Sequence, residues 1–514
     1  MNETKALEEL FGIARAMTTE RDVGRLLAVI LEKSRFITSA DAGSIYVVEG
    51  EGTSAKLRFK LTQNDSVSFD SREFTMPISN RSIAGSCVIN RKPISIPDVY
   101  HLPSDAPFGF DRSFDQRIGY VTRSMMTVPL ISQREEVLGV IQLINRKKDP
   151  NAKLVTRDDV EREVIPFDDH AQNMLQMVAA QAGVSLENAT LYDEIRLLFE
   201  GFVRASVDAI ESRDPTTSGH SRRVADLTVG LAQVIDAESS GPYKGTRFTK
   251  DELRELEYAS LLHDFGKIGV RERVLVKAKK LFDEQLDLIR ARFDYVARTL
   301  EAEYLGARIK LIETGASKED LANAERHYVE QTAELDVFFS SVLSANEPTV
   351  LAGGDFEKLE KLAGQTYVDR LGQPHPLLQP GEFEALRILR GSLTTKEIDE
   401  IRSHVTHTYR FLSKIPWGKT LRGVPRIAGS HHEKLDGTGY PNRMPGADIP
   451  VQSKMMSIAD IFDALTASDR PYKKAVPIEK ALDILDFSVK DGHIDADLTR
   501  VFRGAKVWEI KPST

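Results

Sequence analysis

Apolar residues near the start recur at steps of three and four. Ala6, Leu10, Ile13, Leu26, Leu27, Ile30 and Leu31 share helical faces, so helix is expected over 1–35. The period then shortens to two. Segments 43–48, 57–61, 124–128 and 137–145 read as strands separated by turn residues. Helix, then strands, then helix again predicts one α+β domain over 1–168, with helices on one face of a sheet. From Asp169 the helical period returns through Leu175, Val178, Ala182, Leu186, Ala189, Tyr192, Ile195 and Phe199. That seam predicts a linking, coiled-coil-like helix over 169–200 that pairs with its twin, and hence a homodimer. A helix that covers only its own domain is the plainer alternative. Beyond Gly201 the chain reads as mainly helical, with loops at 241–242, 374–380 and 437–450.

Composition narrows the class. With 514 residues, 41% of them hydrophobic and 28% charged, the chain suits two or three globular domains. A formal net charge of -8 argues against a nucleic-acid polymer as partner. Cys87 is the sole cysteine, which leaves no intrachain disulfide and no cysteine metal site. Neither a signal-peptide stretch nor a membrane-spanning apolar run stands out, so a cytoplasmic protein without a membrane partner is expected.

Candidate chemistry lies in the second half. Of eleven histidines, five keep suggestive company: His220, His263, His404 and the pair His431 and His432. His101, His170, His327, His375, His407 and His493 read as ordinary surface or packing residues. Asp264 follows His263 directly, and a carboxylate with two oxygens can bridge two cations. Read as helix, this segment sets Lys267 three residues on, on the same face as Asp264. A lysine beside a cation calls for an anion between them, and a phosphate would serve. Asp460 and Asp463 share one face of an otherwise apolar helix, where a carboxylate is costly unless paired or metal-bound. Arg470 and Lys473 follow, placed to meet a further phosphate or a base.

Taken in order, these residues resemble one family. His220-Ser-Arg-Arg-Val224, His263-Asp264-Phe-Gly-Lys267, His404, His431-His432-Glu433 with Gly439-Tyr440-Pro441, and 458–465 followed by 469–473 are similar to the HD-GYP family over about 200–514. These are bacterial metal-dependent phosphodiesterases of cyclic di-GMP. The resemblance implies His220, His263, Asp264, His404, His431, His432 and Asp460 as metal ligands. It implies Asp264 as the bridge, Lys267 as the neutraliser of the scissile phosphate, and Tyr440, Arg470 and Lys473 as further substrate contacts. The metals would be two divalent ions, iron or manganese, activating a hydroxide to yield pGpG, which is either released or cut again to GMP. Two departures stand out. Thr216 replaces the glutamate that family members with three metals carry four residues before the first histidine. About 110 charged, helical residues are inserted between Lys279 and Arg390, read either as a helical decoration or as a dimerisation or partner arm.

Residues 20–190 resemble a GAF domain through 80–87, 117–129 and 138–145. The resemblance implies a sensory module, with a small-ligand pocket, for a cyclic nucleotide, near Ser82, Asp115, Thr122 and Ser124; a GAF domain used only for dimerisation is the alternative. The Asn-Lys-Phe-Asp-Glu signature of nucleotide-binding GAF domains is partly echoed by Asn145-Arg146 and Phe167-Asp168-Asp169. The expectation is therefore a multidomain chain: an α+β GAF domain over 1–168, the linking helix, and an all-α HD-type metallohydrolase domain over 201–514 with an insertion over about 280–390. The expected function is cyclic di-GMP hydrolysis under GAF control. Hydrolysis of 3′,3′-cyclic GMP-AMP, and a non-catalytic cyclic-dinucleotide receptor or partner-binding protein, are the rivals.

Overall fold

The computed structural model describes residues 3–68, 72–213, 218–239, 241–349, 353–467 and 475–510. The chain divides into two compact units, Met1–Glu200 and Gly201–Thr514.

In the first unit, seven strands form an antiparallel sheet: β1 (Ala40–Glu49), β2 (Lys56–Asn64), β3 (Phe74–Pro77), β4 (Ile94–Ile96), β5 (Met125–Ile131), β6 (Val137–Lys147) and β7 (Val164–Ile165). Their order is β3-β2-β1-β6-β5-β4, with β7 paired to β6. Period-two alternation sorts the side chains between two cores. Ile45, Val128, Leu130, Ile141 and Leu143 pack against Leu26, Leu27, Ile30 and Leu31 of helix Val23–Thr38 and against the long helix Asp169–Glu211. Val140 and Leu57 point the other way, onto Ala84 and Cys87 of helix Ile83–Asn90. Both faces are thus covered, which corrects the expectation of helices on one face only. The reason lies in Ile83–Asn90, a short helix opened by a Ser82 side-chain cap, whose apolar residues give no long helical period.

The long helix corrects a second expectation. Of the residues read as a pairing seam, Leu175, Val178, Ala182, Leu186 and Ala189 are buried in the core of their own domain, while Tyr192 and Ile195 are exposed. A Cβ on Gly183 would come within 2.1 Å of the Ile131 carbonyl, so only glycine lets the helix lie this close to β5.

The second unit is mainly helical. Helices His220–Asp236, Lys250–Leu261, Thr395–Leu412, Val424–Ala428 and Val451–Thr466 surround the candidate site. Capping boxes at Thr249/Glu252 and Thr394/Glu397 fix where two of them begin. Between them an antiparallel helical hairpin, Asp283–Glu313 and Lys318–Asn346, builds its own core from Ile289, Phe293, Phe338, Val342, Leu359, Leu378 and Leu386. Part of the stretch expected as loop is a small hairpin, Thr366–Val368 against Pro374–Pro376. Where the insertion joins, Lys277 Nζ bonds both Glu397 oxygens at 2.7 and 2.9 Å, and Ser392 Oγ donates to the Lys277 carbonyl at 2.9 Å. Among the described residues no helix is long and apolar enough to cross a membrane.

Candidate metal centre

Three helix ends and one helix interior bring the histidines together. His220 is the first residue of its helix; Glu211 accepts the Gly219 and Ser221 amide protons at 2.6 and 3.2 Å and so satisfies that exposed N-terminus. His263 and Asp264 do not lie on a helix, contrary to expectation. The helix ends at Leu261, 262–264 form a turn, and Phe265–Gly269 is a 3₁₀ turn. Gly266 explains the break. A Cβ there would meet the His404 carbonyl at 1.8 Å, so the chain docks backbone to backbone on helix Thr395–Leu412. Thr408 Oγ1 rivets that contact, accepting from the Gly266 amide at 2.8 Å and donating to the His263 carbonyl at 2.9 Å. His431 and His432 follow helix Val424–Ala428, and Ser457 Oγ donates to the His431 carbonyl.

Three of the imidazoles are set in the same way. Nδ1 of His263, His404 and His431 donates to the carbonyl three residues earlier, those of Ser260, Ile401 and Ala428, at 2.6–2.7 Å. That fixes the tautomer and leaves each Nε2 with a lone pair directed inward. Nε2 of His263, of His404 and of His431 is buried without a hydrogen-bond partner, a costly state for a polar atom unless something coordinates it. His220 is oriented differently. Its Nδ1 lies 2.7 Å from Asp463 Oδ2, and Arg223 holds the same carboxylate at 2.6 and 3.1 Å. Its Nε2 is 3.1 Å from Asp460 Oδ1.

Asp264 stands between the two halves. Oδ2 lies 3.6 Å from His263 Nε2, 3.9 Å from His220 Nε2 and 3.0 Å from Lys267 Nζ, while Oδ1 lies 3.2 Å from His404 Nε2. Potential ligand atoms fall within 4.8 Å of one another in three overlapping groups: His404, His431 and His432; His220, His263 and Asp264; His263, His431 and Asp460. A set of imidazole Nε2 atoms and carboxylates, three of its nitrogens orphaned, fits divalent transition metals.

The electrostatics agree. Burial holds His263 and His431 below the ordinary imidazole range and pushes His432 down to about 4, so all three are neutral bases at physiological pH. Burial also opposes charge on His220, but the Asp460 and Asp463 contacts outweigh it and push this histidine up to about 9. For Asp264, burial is outweighed by Lys267 and the imidazoles, which hold it well below the carboxylate range.

Each expected residue can now be placed. His220, His263, Asp264, Lys267, His404, His431, His432 and Asp460 converge, and the Tyr440 ring lies against His432 with centroids 4.8 Å apart. Arg470 and Lys473, as well as Thr216, lie outside the described residues. Asp463, Arg223 and Glu433 were not on the list of expected ligands or contacts. Glu433, buried, accepts the Asn442 and Met444 amide protons and so shapes the loop carrying Tyr440.

In the first unit a cavity of about 930 Å³ is lined by Ser82, Asp115 and Thr122, with Arg72, Arg81 and Arg117 around it. Ser124 is not among its lining residues. It is fully buried, and its Oγ accepts the Arg146 amide proton at 3.1 Å, because the residue sits in the sheet layer rather than at the opening. The Asp115 carboxylate already accepts from Tyr100 and from Thr122 backbone and side chain. The partial signature forms an ion pair, Arg146 to Asp168 at 2.7 Å, outside the cavity lining.

Comparison with known proteins agrees with this division. The HD domain family model matches residues 376–498, and the GAF domain family model matches 22–186. A 3'3'-cGAMP-specific phosphodiesterase 3 of Vibrio cholerae serotype O1 is 40% identical over 124 residues, 24% of this chain and 26% of its own. A cyclic di-GMP phosphodiesterase of Thermotoga maritima is 35% identical over 107 residues, 21% of this chain and 28% of its own. A probable cyclic di-GMP phosphodiesterase of Vibrio cholerae serotype O1 is 28% identical over 241 residues, 40% of this chain and 54% of its own. The chain thus spans from about a quarter to about half the length of these relatives. The matched HD segment contains His404, His431, His432 and Asp460, while His220, His263 and Asp264 precede it.

Proposed function

We propose that this chain, with its GAF domain and its HD domain, is a metal-dependent cyclic dinucleotide phosphodiesterase that cleaves cyclic di-GMP to linear pGpG. The observation that carries the reading is the Asp264 carboxylate, whose two oxygens face different histidines while Lys267 stands 3.0 Å from one of them. His220, His263 and Asp460 would hold one divalent ion, and His404, His431 and His432 the other, with Asp264 between them. Iron or manganese suits these ligands. Bound ions would supply a hydroxide near neutral pH and neutralise charge on the phosphoryl oxygens. Everything else falls to the chain. The neutral imidazoles of His263, His431 and His432 present their lone pairs without competing protons, and Asp463 keeps His220 in place. Lys267 keeps a positive charge beside Asp264, where an incoming phosphate meets it. Tyr440, backed by Arg402 at 5.4 Å from its ring, offers a flat wall for a base. Hydrolysis breaks one P–O3′ bond, water supplies the new P–O bond, and the departing 3′ oxygen takes up the proton.

A second substrate, 3′,3′-cyclic GMP-AMP, is favoured by one finding: the 40%-identical relative is named for it. The GAF cavity, with its three arginines and the Phe59 and Phe74 rings stacked at 5.0 Å, is read as the place of a regulatory ligand such as a cyclic nucleotide.

Product analysis tests the reading. The full chain, loaded anaerobically with iron or with manganese, is given each dinucleotide beside a His263→Ala/Asp264→Ala variant. Linear product from the wild type alone is expected, and the faster substrate names the nucleotide. No turnover of either, with metal bound, would overturn catalysis in favour of a receptor.

A further inference from the structure

The helix His220–Asp236 has no cap of its own, because its N-cap residue, Gly219, has no side chain to offer the first amides. Glu211, the last residue of the helix Asp169–Glu211, supplies the cap from eight residues back. It takes the Gly219 amide proton on Oε2 and the Ser221 amide proton on Oε1. Between those two amides sits His220, itself 3% exposed. Asp463 sets the direction of the His220 ring, but the backbone from which the ring projects is the backbone Glu211 grips. Arg223 ties the same corner together, donating to the Ser218 carbonyl at 3.1 Å and to the Asp463 carboxylate.

A second anchor follows at once. Arg213 Nη1 donates to the Ile268 carbonyl at 2.8 Å, inside the 3₁₀ turn Phe265–Gly269 that carries Lys267 and begins directly after Asp264. Val203, Val207 and Ile210, at steps of four and three, are buried, so this end of the helix has a fixed face and Glu211 a fixed direction. Among the described residues, neither Glu211 nor Arg213 bonds the segments that carry His404, His431 and His432.

We propose that Glu211 is a positioning residue for one of two ions: by placing His220 it makes occupancy of the site at His220, His263 and Asp460 depend on order at the end of the helix Asp169–Glu211. The proposal rests on the reading of a two-ion centre. A carboxylate that accepts two amide protons at a helix N-terminus is held by charge as well as by hydrogen bonds. When it lets go the first turn frays, and His220, the first residue of that turn, frays with it. His404 stands inside the helix Thr395–Leu412, and His431 and His432 follow Val424–Ala428, so these ligands stay in place. Linkage is reciprocal, so the helix end is better ordered in the metal-loaded chain than in the chelated one.

The test uses the full chain and manganese alone. After dialysis against graded free manganese, the wild type is expected to hold two ions per chain. Glu211→Ala should hold one ion as tightly as the wild type does and the other about 10–100-fold more weakly, with unchanged helical circular dichroism. Glu211→Gln, which keeps one acceptor oxygen, should fall between. A residue that served stability alone would weaken both ions or neither. Hydrogen exchange over 203–213 should slow on loading of the wild type and not on loading of Glu211→Ala. Wild-type affinity for both ions in Glu211→Ala, equal weakening of both, or exchange over 203–213 indifferent to manganese in the wild type would overturn the proposal and leave the two-ion reading standing. Fewer than two ions in the wild type would overturn that reading, and the proposal with it.

Discussion

A carbonyl three residues back sets the ring of His263, His404 and His431, but His220 depends on a single carboxylate far away in sequence. Asp463 both orients that ring and is itself pinned by Arg223. Asp463→Asn keeps the shape and removes the charge, so metal affinity should fall by about 10–100-fold with little change in folding, as read by metal content after dialysis against graded free metal. Protonation gives a second expectation. In the metal-free chain, His263, His431 and His432 fold as neutral bases, with His432 near 4 against an ordinary 6.5. As pH falls through 6.5 the unfolded chain takes up protons that the folded one refuses, so stability declines toward pH 4. His432 alone accounts for up to about 3 kcal/mol. His220, raised to about 9, works in the opposite sense, but its contribution is complete below 6.5 and is lost only as pH rises toward 9. Melting temperatures of chelated protein should therefore drop steadily between pH 6.5 and 5. Most ligand candidates were legible because histidine and aspartate in apolar stretches are conspicuous. The role of Asp463 was not, since periodicity reports the face a residue shares and not the partner across the fold, here 243 residues away.

Among elements, the inserted hairpin has a base and a tip of different character. Ile289, Phe293, Phe338 and Val342 bury themselves at the base, whereas Leu305, Ile309 and Ile312 nearer the turn are 48–59% exposed. Replacing about 300–328 by a short glycine-serine loop should leave melting temperature and metal content essentially unchanged, because that segment holds none of the buried core. A large drop in either would show that the tip supports the fold. Helical content here was readable from the 3.6-residue period. The strand pair at 366–376 was not, since three-residue strands flanked by Gly372 and prolines show no period to count. The opposite error occurred at 262–264: apolar spacing carried the helix on, but the close approach of Gly266 to His404 ends it, and that approach is tertiary.

At the scale of the molecule, the two units should melt as two transitions, and metal should act on one. Chelation is expected to lower the transition of the second unit, and manganese at about 100 times its dissociation constant to restore about 2.7 kcal/mol. Calorimetry with and without chelator checks this, and an unshifted second transition would deny the metal a place there. The sequence period changes at Asp169, whereas the division into two units falls at Glu200, inside the helix Asp169–Glu211, and the self-covering face of that helix emerged only once the sheet beneath it was in place. The wide spacing of the ligands has a temporal consequence. His220 leaves the ribosome long before Asp460, and the whole insertion is made between His263 and His404. The N-terminal domain can fold while the proposed centre is still unmade, so the proposed loading with metal waits until all of its candidate ligands have been made, at whatever metal supply the cell then holds.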